Sequence, residues 1–307
     1  MMSTGNRIVW LDIAKGITIL LMVIGHTSIP QVASGWIWAF HMPLFFFASG
    51  VCTKFEKDSL GTFIKKKFIG IGRPFLIYST IVVLISKISQ LNQIFSFKEG
   101  WGGYALWFVP VLFVALILAK VYFFFNKKVY KYTYLALLLS VSCILSYSKT
   151  FLPWSMAVAP YAAVLLLMAY MSREKILQCL WMKWWVMFVS LLVVIFVSHH
   201  WRLDMCYNNI LPIIPITLGA IAGSLLVMGL SVCIERYGGR LANVLQGIGE
   251  ETFIVVAFSQ IIIMVLNRYT PMNAALKYVL LLVILLIIKY LKDWVVCAYR
   301  KKAEDKV

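Results

Sequence analysis

An all-α bundle of membrane-crossing helices, with about ten spans, is the fold class this sequence predicts. Three observations carry the prediction. Of the 307 residues, 62% are hydrophobic, where a soluble domain holds roughly 45–50%. The mean hydropathy is +0.87. The apolar residues fall in repeated runs of about twenty, the length of helix that crosses a bilayer.

The runs can be taken in order. The first, Ile8 to Ile29, retains Asp12 and Lys15 and lacks a small-residue cleavage site, so it reads as a span and not a signal peptide. The second runs from Gly35 to Phe55. The densest basic stretch follows, with Lys54, Lys57, Lys65, Lys66, Lys67 and Arg73. It is expected to be a cytoplasmic loop by the positive-inside rule. Two spans precede it, so the N-terminus is expected in the cytoplasm as well.

The third span is expected from Pro74, an acceptable first helical residue, to Leu91, with an outer loop from Asn92 to Gly103. The fourth, Tyr104 to Phe125, opens with Trp107 and carries Pro110, which should kink or end its first turn. Thr133 to Ser148 forms the fifth. The sixth starts at Pro153 and Trp154, contains Pro160 and returns to Arg173 and Lys175. Leu180 to Val197 is the seventh. A polar outer stretch, His199 to Asp204, separates it from the eighth, Ile210 to Ile234. A short glycine-bearing segment leads to the ninth, Thr252 to Leu266, and the tenth runs from Ala274 to Ala298. The C-terminus is then cytoplasmic too. No internal repeat or low-complexity tract interrupts the chain, and every loop is too short to fold alone. A single transmembrane domain over residues 1–307 is expected.

The net charge of +17 would suggest nucleic acid in a soluble protein. Here the basic residues stand mostly at span ends, where they set orientation and meet anionic lipid. No basic face interleaved with aromatics exists, so membrane lipid and not nucleic acid is the expected partner. The six cysteines form no CxxC pair. Neither a disulfide framework nor a zinc site is expected, and no metal is called for.

The first two spans carry residues that a membrane span avoids. A charge at the bilayer centre costs a few kcal/mol, so such residues usually face a protein-lined cavity. Lys15 and His26 are eleven residues apart, which places them within roughly 20° of each other and about 16 Å apart along a helix axis. Asp12, three residues before Lys15, can pair with it on the same face. His41 precedes the apolar run Pro43–Phe47 of the second span. Orientation by charge places both histidines toward the outer side.

Arg7, Asp12, Lys15, Gly16, Gly25 and His26, followed by Phe40-His41-Met42-Pro43-Leu44-Phe45-Phe46-Phe47 and Ser49-Gly50, resemble the acyltransferase 3 family, and within it the fucose 4-O-acetylase-like branch. A basic residue, ten positions, then histidine is that family's best-known pattern, and Lys15 and His26 match it. Leu106-Trp107-Phe108-Val109-Pro110 resembles its Trp-Phe-Leu signature, and Gly249 to Gln260 its late glycine-then-span signature. The chain departs from the pattern twice. Lys67 and Gly70 stand where many relatives carry a pair of arginines, with Arg73 following. Ser259 stands where many carry histidine.

The resemblance implies an integral O-acyltransferase, a multi-pass protein of the bacterial plasma membrane. It implies acetyl-CoA as donor and a sugar hydroxyl of a surface glycan, or of its lipid-linked precursor, as acceptor. Such chemistry needs a base or an acyl carrier, and histidine serves as either. His26 is the leading candidate, with His41 as its orienting partner, a second base or a sugar contact. Asp12 and Lys15 join them on the polar stripe. Arg7, Lys15, Lys67 and Arg73 are candidates for CoA phosphates, and Trp107 for stacking on a sugar. Each has an ordinary alternative. The histidines can be satisfied residues near helix ends, Lys15 a buried partner of Asp12, the basic residues lipid contacts, and Trp107 an interfacial anchor. The His199–Asp204 stretch reads as a solvated loop, with acceptor contact as the alternative. For the whole chain the competing function is a transporter or flippase, since intramembrane charges also mark substrate paths. No inverted repeat supports it.

Overall fold

The computed structural model describes residues 7–26, 29–91 and 104–304, and every regular element in it is helical. The expected outer loop Asn92 to Gly103 lies outside the described residues. The first helix, α1, covers Val9–Gly25 and has Asp12 in its first turn, where a carboxylate favours the helix dipole. His26 ends it with ψ near 9°. Pro30 then caps α2, Gln31–Cys52, which runs through Pro43.

The basic stretch is a helix, not the expected loop. Ser59 accepts the Thr62 amide at 3.4 Å and starts α3, Leu60–Lys67. One π turn, Phe68–Gly72, joins it to α4, Arg73–Ile88. Proline cannot donate to the carbonyl four residues back and crowds it. A wide turn ahead of Pro74 removes that conflict, so the chain stays helical from Leu60 to Ile88.

A 3₁₀ turn at Tyr104–Trp107 leads into α5, Phe108–Val121. Then come α6, Lys128–Tyr147, and a 3₁₀ stretch at Pro153–Val158 before α7, Ala159–Met171. The remainder is the short α8 (Arg173–Leu177), α9 (Trp184–His200), α10 (Ile213–Tyr237), α11 (Arg240–Glu250), α12 (Thr252–Tyr269) and α13 (Ala274–Glu304).

Seven helical segments among the described residues are long and apolar enough to cross a membrane. They are Gln31–Cys52, Leu60–Ile88, Ala105–Phe124, Lys128–Tyr147, Pro153–Met171, Ile213–Tyr237 and Thr252–Tyr269. Three other expected spans, α1, α9 and α13, are helices outside those seven. The first two have 17 residues each, and α13 carries Lys277, Lys289, Lys292 and Asp293 among its apolar residues.

Burial separates the centre of the bundle from its rim. In α2, 72% of the most apolar window is buried, against 11% in α6 and 17% in Leu60–Ile88. The centre is α1, α2, α7 and α10, with α5 against α7. Rim helices turn large apolar side chains outward, such as Phe188, Leu192 and Phe196 of α9, as lipid-facing helices do. The closest helix crossing is α1 on α11. A Cβ on Gly16 would collide with the Leu245 carbonyl, and one on Gly249 with the Asp12 carbonyl. Only glycine at both places lets the backbones meet, and that contact sets where the polar residues of α1 stand.

Candidate active site

Two polar sites lie at opposite ends of α1. At its C-terminal end, His26 and the α2 residues Trp38 and His41 line a cleft with Met22, Met42 and Trp107, roofed by residues 203–206. The cleft holds about 370 Å³ of empty space, part of it open to the surroundings. The enclosed part is only about 30 Å³, room for a water molecule or two, so a larger ligand would fill the open mouth as well. The Trp38 indole stands edge-on to both imidazoles, with ring centroids 5.9 Å from His26 and 6.0 Å from His41. His26 is exposed at the mouth and His41 is buried.

One contact fixes the state of His41. Its Nδ1 lies 2.9 Å from the Ile37 carbonyl oxygen. A carbonyl only accepts, so the proton sits on Nδ1. In the neutral ring Nε2 then carries a lone pair, the form a general base requires. The i, i−4 spacing on α2 makes this bond local, so the helix itself sets the tautomer. Trp107 is 7% exposed, and its ring meets Phe108 at 87°. Phe108 in turn packs on Phe45 and Phe46 of α2. The aromatic run after His41 therefore wedges the Trp107 turn against the cleft.

The roof was expected to be a solvated loop, and most of it is not. Asp204 and Asn209 exchange backbone hydrogen bonds of 3.0 and 2.8 Å. The Ser146 hydroxyl donates to the Asn208 carbonyl at 2.7 Å and accepts the Ile210 amide at 3.3 Å. Leu203, Met205 and Ile210 are buried. Asp204 lines the cleft with its Oδ1 accepting the Tyr207 amide at 3.2 Å. Burial pushes its carboxyl above the usual carboxylate range, against the pull of those amides and of Arg202. Arg202 lies over the Trp38 ring at 4.2 Å. His199 and His200 end α9, are exposed, and do not line the cleft.

At the N-terminal end of α1 the charges satisfy one another. Asp12, buried, pairs with Arg7 (Nε–Oδ2 2.5 Å) and with Lys15 (Nζ–Oδ1 2.5 Å). Arg7 also reaches Glu250 of α11 at 3.3 Å. The expected Asp12–Lys15 pair thus forms, and Lys15 is not part of the cleft lining. Ile19 and Met22, both buried, fill α1 between the two sites. Cys52, which ends α2, has Asp12, Lys15, Lys67 and Arg173 as charged neighbours. Lys67 therefore belongs to the basic end, with its Nζ 3.3 Å from the Thr53 hydroxyl. Arg73 is exposed at the start of α4. Arg173 has its Nε buried with no hydrogen-bond partner among the described residues. Ser259 is fully buried on α12 and its hydroxyl likewise has none.

Sequence reasoning passed over Lys120 and Arg173. Lys120 is 4% exposed. Its ammonium donates to the carbonyls of Phe55 and Asp58, the latter at 2.7 Å, and so ties α5 to the turn before α3. The signal was a lysine inside an apolar run, the same signal that drew attention to Lys15.

A family model described as an acyltransferase domain matches residues 8–294. The nodulation protein NolL of Mesorhizobium japonicum is 30% identical over 151 residues, which make up 41% of this chain and 38% of NolL. This chain therefore covers well under half of that relative's length. No solved structure matches the chain.

Proposed function

This chain belongs to the acyltransferase 3 family, and from that premise we propose that it moves an acetyl group from acetyl-CoA to a hydroxyl of a surface glycan or its lipid-linked precursor. The observation that carries the reading is the cleft. Two imidazoles from adjacent helices and a tryptophan from a third element converge on one open cleft in a chain of an acyltransferase family.

In the proposed reaction His26, at the mouth, takes the proton of the acceptor hydroxyl. The hydroxyl oxygen attacks the thioester carbonyl and forms a tetrahedral oxyanion. Collapse of that intermediate breaks the C–S bond, and the departing thiolate takes the proton from the His26 imidazolium. His41, with Nδ1 committed to the Ile37 carbonyl, keeps Nε2 for an orienting or relay role. Transfer through an acyl-imidazole at His26 uses the same groups in two steps. Trp107, which lines the cleft, is the candidate for stacking on the sugar.

The basic end of α1 suits the donor. By charge bias it faces the cytoplasm, where CoA thioesters are found. Arg7, Lys15, Lys67, Arg73 and Arg173 supply cations for its phosphates. The pantetheine arm then has the about 16 Å between Lys15 and His26 to span.

The deciding experiment uses purified protein in lipid nanodiscs with acetyl-CoA and candidate glycans. Thiol release must be matched by a new ester on the glycan in the mass spectrum. His26→Ala is expected to abolish both without loss of folding. Glycan movement across the bilayer with no thiol released would overturn the reading.

A further inference from the structure

Resting on the acyl-transfer reading, we propose that Asp204 is the acceptor-binding carboxylate of the cleft and selects a sugar ring that presents two adjacent hydroxyl groups. Asp204 lines the same space as His26, His41 and Trp107, although it lies far from them in sequence. It is the acidic side chain of that lining.

The roof is built to hold this side chain still. The backbone exchange between Asp204 and Asn209 closes a tight loop. The Asn209 side chain ties that loop to the Arg202 carbonyl at 3.2 Å. Buried Leu203 and Met205 anchor it on either side of Asp204. A binding group fixed by its own backbone and by packed neighbours needs little ordering when ligand arrives.

The turn explains only part of what a carboxylate offers here. The Tyr207 amide occupies Oδ1 and the Cys206 amide also donates to the carboxyl; asparagine would keep the Tyr207 contact. A carboxylate has about four acceptor sites. Asp204 lines the cleft beside two imidazoles and the indoles of Trp38 and Trp107, so an acceptor site beyond those the turn uses is available to a ligand there. Neighbouring hydroxyls on one ring supply two donors at a spacing that a single carboxylate accepts. Hydrogen bonds to an ionised acceptor are roughly twice as strong as neutral ones. Arg202, whose charge acts on Asp204, is held on the Trp38 face, and burial outweighs its pull on the carboxyl. The role is positioning and selection. The transferred proton belongs to the imidazoles.

The test titrates the full-length protein in nanodiscs with methyl fucoside, methyl galactoside and methyl glucoside, and with their monodeoxy forms, following tryptophan fluorescence. The wild type is expected to bind at least one parent glycoside, and Asp204→Asn to bind it about tenfold more weakly. Removing one of two adjacent hydroxyls from the glycoside should weaken the wild type by a similar factor and Asp204→Asn hardly further. The proposal fails if Asp204→Asn binds every glycoside within twofold of wild type. It fails equally if the deoxy and Asp204→Asn losses simply multiply, or if no glycoside gives a saturable change. Thiol release that survives His26→Ala would take the catalytic role from His26 and leave the Asp204 titrations standing on their own.

Discussion

The two ends of α1 use polar residues in opposite ways. At the N-terminal end Arg7, Asp12, Lys15 and Glu250 hold one another where Gly249 brings α11 against the Asp12 backbone. At the C-terminal end His26 and His41 meet the edges of one indole, and His41 commits a single nitrogen to a carbonyl. Mutually paired charges stabilise packing and can offer a phosphate only what pairing leaves over. An imidazole with one nitrogen fixed keeps the other for proton transfer. On the proposed reading, the residue sets gathered at the two ends of α1, about 16 Å apart, do different work: holding the bundle and a donor at one end, moving protons at the other.

The sharpest way to separate the ends is His26→Ala. Its loss should lower kcat by about a thousandfold, within the range for removing a general base. The melting temperature should barely move, because the ring is exposed at the cleft mouth. Parallel turnover and thermal-melt measurements check both halves. Asp12→Ala should behave the other way round. It leaves Arg7 and Lys15 facing each other with no buried counter-charge. A broken buried pair costs about 3–5 kcal/mol. Because the Arg7 and Lys15 side chains are 55% and 26% exposed, we expect about 2–3 kcal/mol, read as a lowered denaturation midpoint in detergent.

A smaller effect is expected from His41→Ala. With His26 still present, kcat should fall about thirtyfold, or about 2 kcal/mol, with the Michaelis constant for acetyl-CoA unchanged. A raised donor Michaelis constant would mean that the ends are not separate. The smallest effect belongs to Lys15→Met. The donor Michaelis constant should rise about fivefold while kcat stays near wild type, since Asp12 keeps Arg7 as a partner.

Much of this division is readable from the residues alone. The Lys15–His26 spacing and the Asp12 pair follow from helical periodicity and from the cost of polar groups in lipid, and charge placement puts both histidines toward one side, but only the fold brings them into one cleft. What the sequence did not reveal depends on contacts between distant segments. Lys120 reads as one odd lysine in an apolar run until the carbonyls of Phe55 and Asp58 come to it. Asp204 reads as a solvated loop residue because the Ser146 and Asn209 contacts that fold it over the cleft have no local signature. The basic stretch before Pro74 reads as a loop because its density of lysine suggests solvent. Ser59 capping and one wide turn keep it helical, with Lys65, Lys66 and Arg73 on the surface and Lys67 half-buried.

The separation of the two ends is tested most directly by titrating CoA calorimetrically into His26→Ala and Lys15→Met proteins whose acetyl turnover has been measured in the same nanodiscs. The account predicts that His26→Ala binds CoA as the wild type does yet transfers nothing, while Lys15→Met binds about fivefold more weakly and still turns over. Weakened CoA binding in His26→Ala, with Lys15→Met unchanged in both respects, would contradict it.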